Sequence, residues 1–283
     1  MVHFTHRLKG NLMRIWCLFL LLILYLPVLS LVLFGFNAST FALRWEGFSL
    51  HWYKITLSNS EMLTALFNSL LVALLSTALA VTLAFFYALW AHKNSNTKLK
   101  GASDSLMSLP LFIPEIVIAI GLLVMVVHIL RPAAGHIGIQ LGSLSSIVLG
   151  HTTLAVGYAC LVLRNRFRTY DSQQELAAQD LGANKWQVFS RVMLPQLMPG
   201  FAAACCMSFA VSLDDFYVSY FLSTGGSALQ TLPIFIWSLQ GRRAMTPEIN
   251  VVSSLLLFIA VIFFVAGLWL NQSKAVPDKT EKG

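Results

Sequence analysis

Three acids interrupt stretches that are otherwise apolar: Glu115, Asp214 and Asp215. A carboxylate at the centre of a bilayer costs about 2.5 kcal/mol or more on insertion scales, so each must face protein or water. Ser208, Ser212, Asp215, Ser219 and Ser223 recur in steps of four, three, four and four. On an unbroken helix they form one polar stripe, while Asp214 points about 100° away, toward Val211, Val218 and Phe221. Tyr217 and Tyr220 add ring faces that can take an ammonium by cation–π contact. Such a set suits the wall of a path for a cation. The alternative is that the acids are protonated or pair with a base on a neighbouring helix. Glu115 also follows Pro114, where it could cap a restarted helix.

No other chemistry stands out. The chain has no phosphate-cradling glycine loop, no His-Glu-x-x-His and no Gly-x-Ser-x-Gly. Cys17, Cys160, Cys205 and Cys206 all lie in apolar runs and show neither zinc nor disulfide-framework spacing. His128 and His151 are read as hydrogen-bonded packing residues.

The elements that position the acids follow from composition. The 283 residues are 57% hydrophobic and 11% charged, against roughly a quarter charged in a soluble domain. Apolar runs at 12–36, 62–91, 106–130, 144–163, 197–222 and 249–270 are each long enough to span or nearly span a layer of about 30 Å. The class expected is all-α, a polytopic membrane protein of six transmembrane helices, with a polar N-terminus at 1–11 and a disordered tail at 271–283. The first run is too long for a signal peptide and lacks a cleavage site. Small residues recur at Ser69, Ala73, Ser76 and Ala80, and again at Thr152, Ala155 and Ala159, and should let helix backbones approach closely. The aromatics Phe41, Trp45, Phe48, Trp52 and Tyr53 suit a membrane boundary.

Basic residues set the orientation. Fourteen lysines and arginines fall on the side of both termini, against Arg44, Lys54, Arg131, Arg242 and Arg243 opposite. Both termini and the segment 171–195 are therefore expected to be cytoplasmic. The same distribution accounts for the net charge of +7 without nucleic acid.

That segment is the one long amphipathic insert. Ser172 with Glu175 predicts a capping box. Gly182 predicts a left-handed helix stop, and Asn184 with Gln187 a second start. Pro195 is expected to end the second helix, whose apolar side carries Trp186, Phe189 and Met193. The product is a peg of two short helices around a glycine elbow.

Ala177-Ala178-x-Asp180-Leu181-Gly182-Ala183, followed by Phe189, Val192 and Leu194-Pro195, resembles the EAA loop of ABC-importer permease subunits. Leu176 stands where that family has glutamate, and the nearest acid is Glu175. The resemblance runs from about residue 12 to 270. Ser212-Leu-Asp-Asp-Phe216, Leu109-Pro-Leu-Phe-Ile-Pro-Glu115 and Thr246-Pro-Glu-Ile-Asn250 look like segments of the spermidine/putrescine branch. It implies a pore subunit in a bacterial inner membrane, with no catalytic group and no cofactor of its own. ATP and magnesium would be used by a dimer of partner ATPase subunits. A second homologous permease and an extracytoplasmic solute-binding protein complete the set. Glu175, Ala177, Ala178, Asp180, Gly182, Ala183, Trp186 and Phe189 would then meet the ATPase. Asp215, Asp214, Glu115, Ser212, Ser219, Tyr217 and Tyr220 would line the path of a polyamine or another cationic or neutral solute. Readings of another class are an ion-coupled secondary transporter, in which the peg has no purpose, and a membrane-embedded enzyme using Glu115 or Asp215, for which no nucleophile or metal cluster is present.

Overall fold

The computed structural model describes residues 2–41, 44–94, 96–136, 142–223, 229–242 and 247–272. The expectations for the tail from 273 on, and for residues 137–141, 224–228 and 243–246 in the outer loops, Arg243 and Thr246 among them, lie outside the described residues. Among those described there are helices and one isolated bridge, Asn37 with Phe48. The helices are α1 (Val2–Phe34), α2 (His51–Ser58), α3 (Ser60–Lys93) and α4 (Thr97–Ser108). Then come α5 (Glu115–His136), α6 (Ser143–Arg168), α7 (Gln173–Asp180) and α8 (Lys185–Asp214). Last are α9 (Tyr217–Ser223), α10 (Leu232–Arg242) and α11 (Glu248–Gln272). Six of them, α1, α3, α5, α6, α8 and α11, are long and apolar enough to cross a membrane.

The chain divides into two compact units, Met1–Leu63 with Ile236–Phe258, and Thr64–Phe235 with Ile259–Gly283. In the first, Asn37 organises the turn after α1. Its Oδ1 accepts from the Glu46 N–H (3.0 Å) and its Nδ2 donates to the Arg44 carbonyl (2.6 Å). Gly47 turns the chain at φ +126°, and Phe36 stacks on Phe48 at 5.3 Å. Phe41, Trp45 and Phe48 remain exposed, as boundary aromatics should.

The second unit is held by close helix contacts. On α3, Ala73, Ser76, Ala80, Ala84, Ala88 and Ala91 are all fully buried. Their steps of three and four make one small-residue seam, which extends the stripe read from the sequence. One apolar cluster gathers Phe85 and Ala88 of α3, Leu163 and Phe167 of α6, and Met193 and Leu197 of α8. A second joins Val72, Ala119, Leu122, Ile147 and Leu154 with Val218 and Leu222 of α9. Gly150 permits that second crossing, because a Cβ there would lie 2.6 Å from Leu222 Cδ1 and collide with Val218.

Three boundaries differ from the sequence reading. The third span begins at Glu115, not Leu106. Residues 97–108 form the separate helix α4, capped by Asn96 Oδ1 accepting from the Leu99 N–H (3.2 Å). Proline disfavours a helical Ile113 before it, and Pro114, with an extended ψ of 133°, is the N-cap from which the helix restarts at Glu115. The fifth span ends at Asp214, because Asp215 is extended at ψ 124°. The second peg helix does not stop at Pro195 but runs into the fifth span, so 171–195 is no separate loop. A π-helical stretch, Val188–Met193, precedes the proline, and the Leu194 N–H reaches back to the Phe189 carbonyl. The wide turn resets the ladder where proline lacks its donor.

Candidate coupling knob and acid cluster

The knob is α7, the Gly182 elbow and the start of α8. Its first cap differs from expectation. Ser172 already has helical angles, φ −70° and ψ −14°, and makes no side-chain cap. Asp171 Oδ1 accepts from the Gln173 N–H instead (2.9 Å). The elbow is as read: Gly182 has φ +87°, with the Gly182 N–H donating to the Gln179 carbonyl (2.8 Å) and the Ala183 N–H to Ala178 (3.0 Å). That pair of bonds is a Schellman stop. A Cβ on Gly182 would meet nothing within 4 Å, so glycine is required by backbone angle alone. Asn184 and Gln187 form the reciprocal capping box, both bonds at 2.9 Å.

The side chains divide by direction. Val188 and Met193 are buried, and Phe189 is half-buried, 6.3 Å from Phe85 and 5.6 Å from Trp186. The apolar side thus serves the chain's own core as well as an outer surface. Left outside are Leu181 at 90% exposure, Trp186 at 71% and Leu176 at 62%. Ala177 and Asp180 are also exposed, while Ala178 and Ala183 are half-buried. Glu175 is half-buried and turned toward Tyr170. Burial first, and that carboxylate second, hold the Tyr170 hydroxyl above its usual range. Glu175 shares a recess of about 210 Å³ with Lys93, Gln179, Lys185 and Phe189. The outward position belongs to Leu176, not to the acid beside it.

The acid cluster lies at the break after α8. Asp215 is 6% exposed, and its Oδ2 accepts from the Ser219 N–H (3.1 Å). It caps α9, which is why the helix breaks there. The single stripe on an unbroken helix is therefore corrected, yet Ser212, Asp215 and Ser219 still converge. His151 Nδ1 lies 2.7 Å from Ser212 Oγ, and its Nε2 lies 2.9 Å from Ser219 Oγ and 3.3 Å from Asp215 Oδ2. Ser76 Oγ is 2.8 Å from Ser212 Oγ. Ser76, Ser212 and Ser219 are buried and linked to this one histidine across three spans. His151 is hydrogen-bonded as expected, and its contact with Asp215 is a pairing with a base on a neighbouring helix, the alternative the sequence left open, though the partner was not named there. Asp215 Oδ1 is buried with no hydrogen-bond partner. Glu115 and Asp214 are exposed and within electrostatic reach of Asp215. Glu115 is the first residue of α5, where its charge favours the helix dipole, rather than its cap. Tyr217 is 40% exposed, and Tyr220 is half-buried and stacked on Phe216 at 5.4 Å.

A buttressing ion pair between residues far apart in the chain went unread in the sequence. Arg164 grips Asp104 with two bonds, Nε at 2.8 Å and Nη2 at 2.7 Å, and Tyr87 donates to the same carboxylate. The Arg164 hydrogen bond is the largest cause holding the Asp104 carboxyl below its ordinary range. Among the described residues no group of three or more His, Cys, Asp or Glu could hold a metal.

Six helices long and apolar enough to cross a membrane, with a capped, elbowed knob in the chain between the fourth and fifth, are the elements of an ABC-importer permease. The model of the binding-protein-dependent transport system inner membrane component family matches residues 80–274, and the chain belongs to that family. It is a multi-pass membrane transport subunit. It is 29% identical over 251 residues to the spermidine/putrescine transport system permease protein PotC of Escherichia coli K12, covering 89% of this chain and 90% of that one. It is 30% identical over 253 residues to the putrescine transport system permease protein PotI of the same strain, covering 89% and 87%. Among solved structures, a bacterial ABC transporter involved in the import of the acidic polysaccharide alginate has the same fold. Its TM-score is 0.68 at 16% identity, over 95% of this chain and 100% of that one.

Proposed function

We propose that this subunit carries polyamines inward through the inner membrane of a bacterium, driven by ATP that a separate subunit hydrolyses. The observation that carries the substrate reading is the likeness to PotC and PotI along nearly nine-tenths of the chain. The charge pattern agrees with it. Asp215 Oδ1 is buried without a partner, two more acids lie nearby, and basic residues fall toward the span ends. An ammonium group is matched by such a site, and an anion is not.

In this reading a second permease completes the pore, and an extracytoplasmic binding protein delivers the amine. Both termini and the knob face the cytoplasm. Two ATPase subunits sit there with ATP and magnesium, and each permease's knob enters a groove on one of them. Closing of the ATPase pair moves the knobs, and the packed spans switch between two arrangements. Leu181, Trp186 and Leu176 are apolar side chains that a groove would bury, each contributing about 1.5–3 kcal/mol when fully covered.

The test is Asp215→Asn in the assembled transporter. The variant keeps the shape and the cap, so assembly should persist, while uptake of labelled putrescine or spermidine should fall about tenfold, equivalent to about 1.4 kcal/mol. Unchanged amine uptake would make Asp215 structural and remove its part in the pathway.

A further inference from the structure

We propose that Arg166 is a positioning residue for coupling: it clamps the base of the knob so that the fourth and fifth spans receive its motion together. The inference rests on the reading that the knob takes up a partner's stroke. Arg166 stands in the last turn of α6. Its Nε donates to the Gln196 carbonyl at 2.9 Å, and its Nη2 donates to the same oxygen. Gln196 directly follows Pro195 and lies in α8, past the π-helical stretch. The guanidinium therefore joins the chain just before the knob to the chain just after it.

Two further features serve the same crossing. Gly200 lies against the Arg166 stem. A Cβ there would sit 2.7 Å from Arg166 Cγ and 2.8 Å from its Cβ. Gly200 does not have positive φ, so it is glycine for space, and that space admits the arginine. The Gln196 side chain then reaches the other way. Its Nε2 donates to Gln174 Oε1 in α7 at 2.8 Å and to the Val192 carbonyl at 3.2 Å. One residue thereby meets the fourth span, the first knob helix and the fifth span.

The mechanical consequence follows from the connectivity. Without the clamp, α7 hangs between the turn at 169–172 and the Gly182 elbow, and a push on it can be absorbed by those two joints. With the clamp, the stems form a closed loop, and displacement of α7 moves α6 and α8 as one. Arginine suits the task because its charge is permanent and its planar fork makes both bonds to one oxygen in a fixed geometry.

The experiment uses the complete transporter in proteoliposomes, with ATP hydrolysis and uptake of labelled putrescine measured on the same sample. Arg166→Met keeps the apolar stem against Gly200 and removes the donors. Hydrolysis should stay within about twofold of wild type while putrescine taken up per ATP falls about tenfold, within the usual range of coupling energies. Arg166→Lys, with a single charged nitrogen in place of the fork, should recover part of the ratio. Gly200→Ala pushes on the stem without removing the charge and should lower the ratio less. It supplies the answer if Arg166→Met does not assemble. Uptake and hydrolysis falling in equal proportion, or an unchanged ratio in both Arg166→Met and Gly200→Ala, would overturn the clamp. A wild-type preparation that transports putrescine without any ATPase would instead overturn the reading beneath it.

Discussion

Gly182 shows how much rests on one backbone angle. Open space surrounds its α-carbon, so a larger side chain meets no obstacle, yet φ +87° is a conformation that β-branched residues rarely adopt. Gly182→Val should cost about 1–3 kcal/mol locally and break the Schellman stop. The transporter should still assemble and hydrolyse ATP, with uptake per ATP sharply reduced. Gly182→Asn should fall between the two, because asparagine tolerates this region. Wild-type uptake per ATP in Gly182→Val would remove the elbow from the mechanism. The neighbouring caps show what residue-level reading can reach. The Asn184–Gln187 box was legible because both partners lie three residues apart with no competitor. Ser172–Glu175 has the same spacing and failed, because Asp171 lies one residue earlier and takes the cap. Glu175 was left to turn inward.

At the scale of elements, proline and aspartate set the misread boundaries. The sequence shows Pro195 as a stop, since proline brings no N–H donor to the helix ladder; the π-helical turn before it supplies the slack. Asp215 reads on a helical wheel as one more stripe residue, whereas its carboxylate is a better cap than a helix interior residue and starts α9. Neither outcome follows from periodicity, because both depend on local ladders that form only once the neighbouring helices are in place. The small-residue seams were legible, since lipid leaves close backbone approach as the main source of cohesion. The attachment of α4 to α6 by Asp104 and Arg164 was not, for sixty residues separate the pair. Its pH dependence has a definite sign. The folded carboxyl is depressed, so the stabilisation is complete above the ordinary aspartate range and is lost as pH falls through the lower folded value. Amide protection in α4, taken relative to the intrinsic exchange rate at each pH, should be high at neutral pH and fall on acidification, and Asp104→Asn should show the low protection at neutral pH. Equal protection in that variant would show that the ion pair does not hold α4.

For the whole molecule, six spans, the knob and the family were legible because composition, length and a long motif all point the same way. The buried network was less so, since His151, Ser76 and Asp215 come from separate spans and no spacing links them. The network also changes what Asp215 is: a carboxylate with one oxygen committed to a cap and a histidine, and the other without a partner. The central claim remains mechanical, that an exposed knob ending in Leu176, Leu181 and Trp186 takes its motion from an ATPase. Affinity purification of the tagged chain from native membranes, with quantification of what accompanies it, tests this most directly. The account predicts two ATPase subunits per pair of permeases, lost when Leu181 and Trp186 are both replaced by aspartate while the sister permease is retained. Polyamine uptake that persists in the doubly substituted chain with no ATPase attached would contradict it.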